Sequence, residues 1–305
     1  MNSDNDNAGC ARLIINPFAG RNKGKRHARR LRRRLAASGL AFRASFSRAR
    51  GDIERQVIEA CQQGCGLIVV AGGDGTVHEA VNGVLKAASD TAIALIPMGT
   101  GNDFAKALDL PRNWRDACDR VVERIQRGQP RVIDAGRCDD FFFANGVGLG
   151  LDAVVTATSE RLKWVPGPIA YVLALCSLLV NRIPSTQARI EHDDGVYEGP
   201  VSLAVTCNGQ YVGGVFHLAP RAKNDDGRFN LVIAEAVNRG QVIRHAPKVL
   251  SGTHEDLSIV TTLTTRRVAI TVDPPMPVEA DGEMRYTSAS QLTIELLPAA
   301  LRIFA

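Results

Sequence analysis

Hydrophobic residues in the first 135 positions follow two alternating rhythms. Short β-rich runs at 11–16, 40–46, 67–71 and 92–96 are separated by stretches whose apolar positions recur every three or four residues. The runs predict strands. The stretches predict helices: a basic one ending near 37, one over 53–63 with Asp52 as its N-cap, one ending near 88 and one starting near Asp103. The run Leu67-Ile68-Val69-Val70-Ala71 holds no polar residue. Strands this uniformly apolar are buried on both faces, as in a mostly parallel sheet covered by helices. The first half therefore reads as an α/β nucleotide-type domain.

From Arg131 onward the pattern changes to strands and turns, with strands expected over 131–138, 141–147, 187–192, 196–208, 229–236, 267–272 and 292–297. Asp193-Asp194-Gly195 is a hairpin signal. Helical stretches are expected around 169–180 and 241–250. The division that follows is an α/β domain over 1–135 and a β-rich, β-sandwich-like domain over 136–305, whose last strand is free to return to the first domain. No repeat or low-complexity linker separates them, so a cleft between the two is the expected place for chemistry.

Composition, 45% hydrophobic and 23% charged, is that of a globular chain and excludes disorder as the main state. No apolar run reaches the roughly 18 to 20 residues of a membrane span. The first ten residues are polar and acidic where a secretory signal would be basic and then apolar, so a cytoplasmic protein is expected, with any membrane contact peripheral and at the inner surface. Seven cysteines without a CxxC pair predict neither disulfides nor zinc.

Charge changes the picture more. Between Arg21 and Arg34 lie nine Lys or Arg and no acid; removing those nine from the 37 basic residues leaves 28 against 32 acidic ones. So dense a block is a footprint for something anionic, or else the solvated face of a helix that packs through Ala28, Leu31 and Leu35. Nucleic acid is not the expected partner, since aromatic content is 5% and no reading motif accompanies the charge.

Three strand-to-helix loops carry candidate chemistry. In the first, Leu67–Ala71 runs into Gly72-Gly73-Asp74-Gly75-Thr76, and Val77-His78-Glu79 opens a helix. Glycines at such a turn let backbone N–H groups approach phosphate oxygens, and the helix N-terminus favours anions. An exposed loop carboxylate at Asp74 would repel a phosphate unless a cation lies between them, which implies Mg²⁺ carried by a nucleotide. The second loop, Gly99-Thr100-Gly101-Asn102-Asp103, repeats the layout, with Asn102 or Asp103 able to cap the helix. The third is Asn16-Pro17-Phe18-Ala19-Gly20. Loops at strand C-termini of one parallel sheet converge on one crevice, which points to a nucleoside triphosphate site.

These segments, with Asp281-Gly282-Glu283 near the end, resemble the ordered signatures of the diacylglycerol kinase catalytic family, over nearly the whole chain. The short length makes the chain most similar to the bacterial soluble lipid kinases of that family. A GGDG loop alone is shared with NAD kinases and phosphofructokinases; its combination with GTGND and a late DGE is more specific. The resemblance implies two domains with ATP and substrate meeting in the cleft. It implies ATP contacts from Asn16, Pro17, Phe18, Ala19, Gly20, Ser47, Gly73, Asp74, Gly75, Thr76, Val77, His78, Glu79, Thr100 and Asp103. Asp74 would organise the catalytic Mg²⁺ through water, with Asp103 and Asp134 completing an acidic ring. In the late motif either Asp281 or Glu283 would accept the proton of the substrate hydroxyl. Lys223-Asn224-Asp225-Asp226-Gly227-Arg228 resembles a structural Mg²⁺ loop using the Asp226 carboxylate and the Lys223 and Arg228 carbonyls. By itself Asp281-Gly282-Glu283 reads better as a hairpin turn, and for Lys223–Arg228 a turn is equally natural. His78 stands where the family often has Asn.

The expected activity is transfer of the ATP γ-phosphoryl group, with Mg²⁺, to a diacylglycerol-like hydroxyl. A lipid acceptor at an anionic membrane surface accounts for the basic block, for the apolar stretch at 164–180 and for the lack of a span. The alternatives are a kinase of a soluble alcohol such as NAD, and a non-catalytic nucleotide sensor that binds membranes through Arg21–Arg34.

Overall fold

The computed structural model describes residues 11–161, 173 and 183–305. The helix expected around 169–180 lies outside these residues, Leu173 excepted. The chain divides into two compact units, one running to Ile133 and rejoined by Ala299–Ala305, the other Asp134–Pro298.

In the first unit four strands, β1 (Ala11–Ile15), β2 (Phe42–Phe46), β3 (Leu67–Gly72) and β4 (Ala92–Pro97), lie parallel in the order β4-β3-β1-β2. β4 is buried at all six positions and β3 at five of six, as their unbroken apolar sequences require. Helices α1 (Ala19–Ala37), α2 (Asp52–Gln62) and α3 (Asp74–Lys86) connect them. Ala28, Leu31 and Leu35 form the buried stripe of α1, so its arginines face outward.

The single helix expected from Asp103 is two. α4 (Asp103–Ala107) stops before Asp109, which is left-handed at φ 57°, and before Pro111. Asn113 then caps α5 (Trp114–Gln126) by accepting from the Arg115 amide. Asp52 is the first residue of α2 rather than its N-cap, which is Gly51 at φ 81°.

The second unit opens within β5 (Arg131–Cys138) and continues with β6 (Phe141–Phe143), β7 (Gly146–Gly150), α6 (Leu151–Arg161), β8 (Thr186–His192), β9 (Gly195–Cys207) and β10 (Phe229–Glu235). α7 (Arg239–Ser251), β11 (Val260–Thr265), β12 (Arg267–Ala280) and β13 (Glu283–Phe304) follow. Strand pairing here is antiparallel: β9 pairs with β7, β8 and β10, and β12 with β7, β8 and β13. Asp193 and Asp194 form the two-residue turn between β8 and β9, with His192 opposite Gly195. The core holds Phe141, Phe143 and Phe229, the last two stacked at 5.5 Å, with Leu231, Ile270 and Ile294.

The strand expected over 141–147 is broken in two because the amides of Ala144, Asn145 and Gly146 turn to the Asp281 carboxylate. β12 and β13 extend beyond 267–272 and 292–297; exposed Arg267, Thr271 and Asp273 alternate with buried Val268, Ile270 and Val272 at the start of β12, whereas Glu283–Gln291 of β13 holds no buried position. β11, rich in Thr and half-buried, had no apolar run to announce it. The end of β13 leaves the second unit; Ile303 and Phe304 pair in parallel with Ile93 and Ala94 of β4.

Candidate active site

In the first unit the three loops meet. Asn16 Nδ2 donates to Thr76 Oγ1 at 3.0 Å, while Asn16 Oδ1 accepts from the Phe18 amide at 3.0 Å. Gly20 is left-handed, with Arg21 and Asn22 following at φ 61° and 66°, so three successive residues turn the chain before α1 becomes regular. A Cβ on Gly20 would lie 2.0 Å from the Met98 carbonyl oxygen, and one on Gly73 would lie 2.9 Å from the Gly99 Cα. Only glycine lets these backbones approach, and the approach sets the Gly73–Gly75 backbone at the head of α3 against the second glycine loop. Such a cradle fits the phosphates of a nucleotide.

Asp74 is not the exposed loop carboxylate the sequence suggests. It is half-buried and accepts from the amides of Asn102 at 2.7 Å and Phe104 at 3.3 Å, tying the two glycine loops together. Burial, and next the neighbouring Asp103 carboxylate, push its pKa up to about 7. Asp103 is itself buried and paired with Lys106 at 2.9 Å. Two neighbouring carboxylates at the junction of two glycine loops fit a divalent cation. Among the described residues no group of three His, Cys, Asp or Glu gathers to ligate a metal directly.

Other expected residues are placed as follows. Glu79 accepts from the amides of Gly51, Ile53 and Glu54, so its carboxylate caps α2 from α3. Ser47 is buried at the end of β2, its amide bonded to the Ile15 carbonyl. Thr76, Val77 and His78 are buried on α3, with His78 beside Asn82; Thr100 is exposed in its loop. Pro17 is half-buried, and Phe18 is 67% exposed.

In the second unit Asp281 and Gly282 form the two-residue turn between β12 and β13, with φ 51° and 81° and Ala280 opposite Glu283. Asp281 is buried and its oxygens accept from three amides, Ala144 at 3.1 Å, Asn145 at 2.8 Å and Gly146 at 3.1 Å. Glu283 is half-buried at the head of β13. Asp134 is buried and accepts from the Gly227 amide at 2.7 Å, holding the Lys223–Arg228 turn, in which Asp226 is exposed and accepts from the Arg228 amide.

Two features were missed from the sequence. Glu279, 2% exposed, accepts from the Gly282 amide at 2.8 Å and shares a hydrogen bond with buried Asp152; burial and then Asp152 hold it well above the usual carboxylate range. A Cβ on Gly148 would stand 2.1 Å from Asp152 Oδ2, so glycine there makes room for the pair. An acid interrupting Met276-Pro277-Val278-Glu279-Ala280 was the available signal. The second feature is an apolar cavity of about 130 Å³ whose wall includes Asp152, Leu203, Val232, Val242, Ala246 and Val260. Its wall comes from segments far apart in sequence, which no local pattern joins.

Comparison with known proteins agrees with this architecture. Residues 10–138 match the diacylglycerol kinase catalytic domain, and residues 145–305 match the YegS C-terminal NAD kinase beta sandwich-like domain. A diacylglycerol kinase of Bacillus subtilis (strain 168) is 33% identical over 90% of this chain and 89% of its own length. One from Staphylococcus saprophyticus is 30% identical over 90% of this chain and 88% of its own. A crystal structure of a Bacillus anthracis str. Sterne protein superposes with TM-score 0.80 at 24% identity, covering 97% of each chain. A second, of a diacylglycerol kinase from the same organism, gives 0.74 at 23% identity, covering 97% of this chain and 96% of that one. The chain belongs to the diacylglycerol kinase catalytic family. It is accordingly a phosphotransferase with an alcohol group as acceptor.

Proposed function

We propose that this protein transfers the γ-phosphoryl group of ATP, with Mg²⁺, to the hydroxyl of a diacylglycerol-like lipid. The observation that carries the reading is one chain holding both a glycine-loop phosphate cradle in its first unit and an apolar cavity in its second. Relatives that cover nine-tenths of it are diacylglycerol kinases. An apolar wall suits acyl chains and offers little to a soluble acceptor such as NAD.

The roles follow from the donor sets. The Asn16–Gly20 and Gly73–Glu79 segments, with Ser47, Thr100 and Asp103, surround the nucleotide; the half-buried Glu79 carboxylate serves by fixing α2 against α3. Asp74, Asp103 and Asp134 would hold Mg²⁺ through water, and the Lys223–Arg228 turn would hold a second, structural Mg²⁺ through Asp226 and the Lys223 and Arg228 carbonyls. Bound metal supplies neutralisation of the phosphate charge. Phosphoryl transfer then needs one group to take the proton from the alcohol. We assign that proton to Glu283, because the Asp281 oxygens are already engaged by three backbone amides and shape the turn that presents Glu283.

Anionic membrane docking through α1 is part of this reading. Lys25, Arg29, Arg32 and Arg33 line one groove with half-buried Phe42 and exposed Phe46 of β2, a combination of cations and apolar edge suited to acidic headgroups. The test is an acceptor panel, with labelled γ-phosphate, Mg-ATP and mixed micelles of diacylglycerol, phosphatidylglycerol or sphingosine beside soluble NAD. Label in diacylglycerol supports the proposal; label in NAD, or ATP binding with no acceptor labelled, would replace it by one of the two alternatives.

A further inference from the structure

A small basic cavity of about 320 Å³ lies against the second glycine loop, on the flank of α1 and at the head of α5. Its wall includes Lys23, His27, Gly99, Arg112, Trp114 and Arg115. Among the described residues, Lys23, His27, Arg112 and Arg115 form no ion pair with a carboxylate. The ring of His27 stacks on Trp114 at 5.3 Å, and the Arg115 guanidinium lies 5.0 Å from the centroid of the same indole. His27 Nδ1 is buried without a hydrogen-bond partner. Burial first, and then Arg115, Arg30, Arg26 and Lys23, lower the His27 pKa, which records the positive field around it.

We propose that this cavity is a second anion site, separate from the nucleotide cradle, that binds a phosphate group. The inventory of groups decides the ligand class. Guanidinium and ammonium groups only donate, phosphate oxygens only accept, and a dianion relieves the mutual repulsion of the cations better than a carboxylate does. Trp114 contributes rigidity: pinned between His27 and Arg115, it holds two donors in place. The phosphate can belong to a lipid headgroup or be free in solution. Because Gly99 is both wall of this cavity and part of the loop tied by Asn102 and Asp74, occupancy and nucleotide binding are coupled, and coupling of this kind is reciprocal.

The test uses the full chain carrying Trp164→Phe, which leaves Trp114 as its single tryptophan. Trp114 emission is followed during titration with inorganic phosphate and, separately, with phosphatidylcholine vesicles with and without phosphatidic acid. In the unsubstituted chain, NMR titration follows His27. The expected result is a saturable change in emission and a rise in the His27 pKa, both weakened about a hundredfold in Arg112→Gln/Arg115→Gln, tenfold per guanidinium. That variant should keep the thermal transition and the ATP affinity measured without phosphate. A response to phosphate identifies a free anion, and a response to phosphatidic acid vesicles alone identifies a headgroup. No response to either overturns the proposal. So does a response that persists in the double variant, or one that a single equivalent of ATP abolishes by occupying the same site. None of these readouts requires phosphoryl transfer, so they fail or succeed independently of the activity.

Discussion

Asp281 and Glu283 stand two residues apart on one hairpin, and their surroundings give them different work. Replacing Asp281 by Ala removes the acceptor for three buried amides held at 2.8 to 3.1 Å. A buried amide left without a partner costs about 1–3 kcal/mol, so the three together cost roughly 3–6 kcal/mol once water entering beside the turn is allowed for. Against the roughly 5–15 kcal/mol that holds a domain folded, that is a large share. At about 2–4 °C per kcal/mol for a unit of this size, the melting transition should fall by roughly 10–20 °C. Asp281→Asn keeps one acceptor oxygen and should fall by about half as much. Glu283→Gln should leave melting within about 2 °C and lower kcat by roughly 10²–10⁴, the usual contribution of a proton acceptor. The assay is calorimetry alongside transfer kinetics on the three variants. Full activity in Glu283→Gln, together with an inactive Asp281→Asn that melts normally, would refute the assignment and make Asp281 the acceptor.

Three further outcomes are expected. The Asp74 carboxyl, raised to about 7 by burial and Asp103, favours the folded state most at low pH, and that contribution is lost as pH climbs through its folded value. Stability of the unliganded chain should therefore decline between about pH 4 and 8, and apparent Mg²⁺ affinity should rise roughly tenfold from pH 6 to 8 as Asp74 ionises; a flat Mg²⁺ profile would remove Asp74 from metal binding. Ala246→Trp, placed in the wall of the apolar cavity, should raise KM for micellar diacylglycerol at least tenfold and leave ATP affinity unchanged, as equilibrium binding and lipid kinetics would report. Replacing Arg29, Arg30, Arg32 and Arg33 by Gln should weaken sedimentation with anionic vesicles at low salt, while the wild-type binding itself should fade as salt is raised; unchanged sedimentation would exclude α1 as the docking face.

Much of the first unit was legible because its signals are local. Unbroken apolar runs mark β3 and β4, glycines mark the turns, and the Ala28, Leu31 and Leu35 stripe orients α1. What escaped depends on groups distant in sequence. Glu79 caps a helix 25 residues upstream, Asp74 crosses to a loop 28 residues on, and Asp281 breaks a strand 135 residues earlier. None of these bonds leaves a periodic trace. In the second unit the extent of β12 and β13 was visible only in part, because the cross-strand partners that decide burial lie far along the chain. The buried Asp152–Glu279 pair is the clearest case: composition counts it as two surface acids, and only the space left by Gly148 shows otherwise.

The most direct measurement is the transfer of labelled γ-phosphate from Mg-ATP to diacylglycerol in mixed micelles, read as phosphatidic acid, by the wild-type chain and by Glu283→Gln. The wild type is expected to yield phosphatidic acid, and the variant at least about a hundredfold less at unchanged ATP affinity. Equal yields from the two proteins, or no labelled lipid from a wild type that binds Mg-ATP, would contradict the proposal.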